Sequence, residues 1–67
     1  MKGILTAWNE RGFGFIMAQD RQQFFLHVSN IISGPPIPIR GMTVEFEAIA
    51  PTRGTLPEAI NARVGGI

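Results

Sequence analysis

Arg11-Gly12-Phe13-Gly14-Phe15-Ile16 is the stretch on which the fold turns. Successive side chains of a β-strand point to opposite faces. Phe13 and Phe15 therefore share one face, and Gly14 and Ile16 share the other. Ile16 supplies the inward side, and the glycines flanking the rings leave the backbone open. The spacing predicts two accessible rings rather than two core rings. A second stretch, Phe24-Phe25-Leu26-His27-Val28, follows the same logic. Phe25 and His27 fall on one face, with Phe24, Leu26 and Val28 on the other. Paired side by side, the two strands would present four flat rings on one surface, and every nucleobase has a π-face that stacks on such rings.

The flanking segments keep the same period. A first strand is expected from Lys2 to Trp8, with Leu5 and Ala7 on one face and Ile4, Thr6 and Trp8 on the other. Asn9-Glu10-Arg11-Gly12 has the residues of a tight turn. Ala18 to Gln22 is polar enough for a second turn but lacks glycine. Gln23 to Val28 is the third strand, and Ser29 to Ile32 reads as a single helical or 3-10 turn capped by Ser29. Thr43 to Ile49 alternates Val44, Phe46 and Ala48 inward against Thr43, Glu45 and Glu47. Pro51 to Pro57 forms a loop around Gly54. Glu58 to Val64 closes the domain, with Ile60, Ala62 and Val64 inward and Ala59, Asn61 and Arg63 outward. No window keeps a helical period. The expected fold is all-β: a five-stranded antiparallel barrel of the OB type. It is expected to span residues 1–64, with 65–67 as a flexible tail.

Between the third strand and Thr43 lies Gly34-Pro35-Pro36-Ile37-Pro38-Ile39-Arg40-Gly41. Three prolines in four residues remove backbone donors and fix φ, which excludes an interior strand. A stiff extended connector is the plain reading. Two sharper ones are an apolar lip beside the ring face, through Ile37 or Ile39, and a hinge for exchanging strands between chains.

Composition narrows the function. Sixty-seven residues make one small domain, whose core rarely supplies more than roughly 3–5 kcal/mol. There is no cysteine, so a disulfide and a thiolate metal site are both excluded. A net charge of +1 gives no electrostatic argument for nucleic acid by itself, so that case must rest on the rings. A chain this weakly charged and slightly apolar on average suggests an exposed binding face or a self-association surface. No segment approaches the ~20 apolar residues of a membrane-spanning helix, and no signal-peptide pattern opens the chain. A soluble cytoplasmic protein with no membrane partner is expected. The single histidine has no acidic partner at any motif spacing, and no phosphate loop or metal cluster is present. Neither catalysis, a metal nor a cofactor is expected.

The chain resembles the cold-shock domain family, five-stranded OB-type barrels that bind single-stranded RNA and DNA. Lys2-Gly3, Trp8-Asn9 and Gly12-Phe13-Gly14-Phe15-Ile16 follow that family's first ribonucleoprotein motif. Phe25-Leu26-His27, with Ser29 and Ile31, follows the second. Gly41, Val44-Glu45-Phe46-Glu47 and Ala59-Ile60-Asn61 follow the back half. The resemblance implies stacking at Phe13, Phe15, Phe25 and His27, phosphate contacts at Lys2 and Arg11, and a role as RNA chaperone or regulator of transcription or translation in a cold or stress response. Trp8 either replaces the family's outward tryptophan or occupies the next, more buried position. Strict alternation from an inward Leu5 favours the first, which adds Trp8 to the nucleic-acid-binding set. The chain also departs from the pattern. Ile4 and Thr6 stand where lysines are common, and Val28 stands where the family carries a further aromatic. The proline-isoleucine loop replaces one that carries phenylalanine and glycines. Arg21, Arg40, Arg53 and Arg63 read as solvated or paired charges, Gln22 and Gln23 as candidate base-edge contacts. The other reading is a protein-interaction or self-assembling barrel, a homodimer formed through the 34–41 loop or by exchanged strands.

Overall fold

The computed structural model describes residues 1–52 and 54–65. Its strands in chain order are β1 (Lys2–Asn9), β2 (Phe13–Ala18), β3 (Gln23–His27), β4 (Ile31–Ser33), β5 (Thr43–Ile49) and β6 (Glu58–Val64). β1, β2 and β3 form an antiparallel meander, and β5 pairs antiparallel with both β1 and β6. β6 then returns to β3, pairing parallel through Phe25↔Glu58 and Leu26↔Ala59. This contact closes a five-stranded OB-type barrel. The barrel is five-stranded as the sequence predicts, but its closing contact is parallel where the sequence predicts antiparallel pairing. Five is not the full strand count: β4 is an additional strand lying parallel to β6.

The core follows period two along β2, β3 and the first half of β5. Leu5, Ile16, Phe24, Leu26, Val44 and Phe46 are buried together with Ala59, Ala62 and Val64. Phe24 and Phe46 meet edge to face at 4.9 Å, the preferred geometry for an aromatic pair. The turn from β1 to β2 closes as its residues predict: Asn9 Oδ1 accepts from the Arg11 N–H at 2.8 Å, and the Gly12 N–H donates to the Asn9 carbonyl at 2.9 Å. The turn from β2 to β3 dispenses with glycine by placing Arg21 at φ 67°, with Asp20 Oδ1 accepting from the Gln22 N–H.

Of the register slips among the described residues, two break the alternation that the sequence predicts. Between Leu5 and Ala7 the register slips, so that Leu5 opposes Ile16 and Ala7 opposes Phe15. Thr6 is the extra residue, and everything after it changes face. The second slip opposes Glu45 to Arg63 and Glu47 to Ile60, with Asn61 at φ 51°. Ala59 is therefore buried rather than outward, and Ile60 is only half-buried. Ala48, expected inward, is exposed.

Ser29 is not the cap of a turn at 29–32. The 3-10 turn is Val28–Asn30 and its cap is His27, whose Nδ1 accepts from the Ser29 N–H. Ile31 and Ile32 belong to β4. The Gly65 N–H still donates to the Thr43 carbonyl; the remainder of the expected tail, 66–67, lies outside the described residues.

Candidate nucleic-acid interface

Strand register places the outward side chains of β1, β2 and β3 in three rows. Asn9, Phe13 and His27 form one, Ala7, Phe15 and Phe25 the next, and Ile4, Met17 and Gln23 the third. Four of the rings expected on this face are brought together. Phe13 and Phe25 lie 5.9 Å apart at 30°. Phe15 and Phe25 lie 6.0 Å apart at 66°. All three phenylalanines and His27 are half-buried, seated on the sheet with ring area still facing solvent. They are not needed inside, because Ile16, Phe24 and Leu26 already seal the opposite face.

Trp8 is the correction on this surface. The bulge at Thr6 puts Ala7, not Trp8, in the row with Phe15. Trp8 pairs with Gly14, packs against the core and stays half-exposed. A Cβ at Gly14 would lie 2.7 Å from Trp8 Cε3 and 2.2 Å from the Ala7 carbonyl oxygen. Gly14 is glycine because β1 and the tryptophan ring close over it, rather than to leave the backbone open beneath the rings.

His27 is held in one orientation. Its Nδ1 accepts from the Ser29 N–H at 3.1 Å and stands 2.8 Å from Ser29 Oγ. A ring nitrogen that accepts carries no proton, so the neutral imidazole bears its hydrogen on Nε2. The edge away from Ser29 is thus a donor.

The expected cations mark the two ends of the face. Arg11 is exposed in the turn beyond the Phe13 row. Lys2 is exposed past Ile4 and lines a hollow with Thr6, Met17 and Gln19. Gln23 lies in the third row opposite Met17. Arg63 is paired in register with Glu45, and Asn61 Nδ2 donates to Glu47 Oε2 at 3.2 Å. These acidic residues line a hollow that shares no residue with the ring face. Arg53 lies outside the described residues.

Two contributors, Met17 and Leu56, were missed in the sequence. Met17 continues the Phe13-Phe15 period by one further step, a signal that was available. Leu56 comes from a loop and has none; with Gly54, Thr55 and Glu58 it walls a groove of about 270 Å³ against Phe15 and Phe25. Ile37 and Ile39, 71% and 61% exposed, line a second groove beside Ala7 and Trp8 with Glu10 and Arg40.

A closed OB-type barrel with a solvent-facing aromatic sheet belongs to a class of folds that hold other molecules on their strands. The family model for the 'Cold-shock' DNA-binding domain matches residues 1–64, and the chain belongs to that family. Membership makes it a nucleic-acid-binding domain, in a fold that is not a known enzyme family. Comparison with individual curated proteins returns no match. Among the described residues no group of three or more His, Asp or Glu side chains is placed to hold a metal ion, and no helix is long and apolar enough to cross a membrane.

Proposed function

We propose that the chain binds single-stranded RNA or DNA by stacking bases on Phe13, Phe15 and Phe25, with His27 donating from Nε2 to a base edge and Lys2 and Arg11 meeting phosphates at the two ends. The observation that carries this reading is the trio of half-buried rings, with Phe13 and Phe15 each within 6.0 Å of Phe25, on a face whose reverse is sealed. Bases within a duplex are already stacked, so single strands are the fitting ligand. Following the family, the biological role is that of an RNA chaperone or a regulator of transcription or translation.

Stacking outweighs charge on this face. Each base stacked on a ring contributes about 1–3 kcal/mol by alanine substitution. Two or three phosphate contacts give a single-strand salt slope of only about −1.4 to −2. Anisotropy of a labelled oligothymidine at two salt concentrations tests both statements. Phe15→Ala should weaken binding by at least ~1 kcal/mol, with the slope unchanged. An unaltered affinity removes the central premise. Trp8 fluorescence is a weaker reporter than its sequence position promised, because the ring packs over Gly14.

Self-association through residues 34–41 rests on a separate observation, the exposure of Ile37 and Ile39. Light scattering that shows a monomer at high protein concentration would remove it.

A further inference from the structure

The outer face does not end at the rings. One step beyond Phe15 along β2 lies Met17, with Ile4 opposite it on β1 and Gln23 opposite it on β3. A step of two residues advances about 6.8 Å along a strand, so Met17 follows Phe15 at the interval by which Phe15 follows Phe13. Ile4 is 46% exposed and Met17 is half-buried. A lone exposed isoleucine is ordinary, but one continuous with a row of solvent-facing rings extends an apolar patch. Ile4 and Met17 wall a hollow of about 450 Å³ with Lys2, Thr6 and Gln19. Thr6 already donates its hydroxyl to the Phe15 carbonyl at 3.3 Å. Among the described residues, Lys2 is the only charged one that lines the hollow. Glu45, its register partner on β5, lines the separate acidic hollow instead.

Apolar walls with one exposed ammonium at the rim match the two halves of a nucleotide, a flat base and an anionic phosphate. A neutral apolar peptide would leave the ammonium unused, and a bare phosphate would leave the walls unused. We infer that Met17 and Ile4 hold the base of one further nucleotide beyond the rings, with Lys2 on its phosphate. No aromatic partner is needed there, because a thioether makes favourable contacts with a π-system. The unbranched methionine side chain also adapts to a purine or a pyrimidine alike. This rests on the stacking reading and lengthens the site by one position that tolerates any base.

The test is anisotropy with labelled oligothymidines lengthened one nucleotide at a time. Beyond the length that fills the rings, one added nucleotide should tighten binding roughly fivefold, the size of a thioether–ring contact. Met17→Ala should forfeit that step while binding shorter oligomers as the unaltered protein does, whereas Phe15→Ala should weaken binding at every length. In the unaltered protein, the methyl resonances of Met17 and Ile4 should shift in NMR spectra as that nucleotide is added. A Met17→Ala protein that keeps the step, or that is weakened equally at every length, overturns the inference. So do Met17 and Ile4 methyl resonances that stay in place with the longest oligomer, a readout that depends on no variant's folding. If either result accompanies a Phe15→Ala protein that is weakened at every length, the added position alone has failed. If Phe15→Ala weakens none, stacking has failed with it.

Discussion

Two aromatic groups in this small barrel differ in burial, one closed inside and the other half-buried on the outer face of the sheet. Phe24 and Phe46 touch at 4.9 Å inside; Phe13, Phe15 and Phe25 touch at 5.9 and 6.0 Å outside. Phe24 and Phe25 are chain neighbours, and the pleat alone sends one ring to each group. The inner rings are surrounded by side chains on all sides, with Phe24 2% exposed. The outer rings are half-buried, with Phe13 stacked on Phe25 and Phe15 edge-on to it. Burial makes a ring a stabilising element, and a ring left half-covered keeps a face for a ligand. Residue type does not distinguish the two cases, but parity along the strand does.

Substitutions sharpen that contrast, the largest effect first. Phe24→Ala should cost about 3–5 kcal/mol of stability. That is comparable with all that a core of this size supplies, so circular dichroism should show a largely unfolded chain. A native spectrum with a high melting temperature would mean that the inner ring is not structural. Gly14→Ala should come next. Its Cβ would press to 2.2 Å from a backbone oxygen, which cannot swing aside as a side chain can. Overpacking of this kind costs roughly 1–3 kcal/mol, read as a lowered denaturant midpoint. The smallest stability change belongs to Phe15→Ala, about 1 kcal/mol for the lost ring contact, and its main effect should fall on binding. If Phe15→Ala unfolds the chain as readily as Phe24→Ala, the division between inner and outer rings collapses.

Parity is also why much of the site was legible in the sequence. Phe13, Phe15, Phe25 and His27 were assigned to one face from alternation within two short strands, and neither strand contains a bulge. Legibility failed where an extra residue entered. Ile4-Leu5-Thr6-Ala7-Trp8 has no glycine or proline to announce a slip, so nothing local distinguishes an outward Trp8 from one packed over Gly14. At the second slip a hint existed: asparagine visits the left-handed region more readily than most residues, and Asn61 does so here. The 3-10 cap was misassigned because serine is the commoner cap, whereas His27 reaches the same N–H through Nδ1. Leu56 comes from an irregular segment where no period applies, and only the closed barrel brings it beside the strands.

The barrel closes by two register pairs between β3 and β6, against six between β1 and β2. This narrow join runs directly beside the groove, whose walls belong to both of its sides: Phe25 from β3, Leu56 and Glu58 from the segment entering β6. A guest lodged there touches both shores at once. Mass action then makes it a clasp, since whatever binds only the closed form deepens the closed form's well. The amides of Phe25 and Leu26, which border the join, are where native-state hydrogen exchange would register that tightening as slowed breathing.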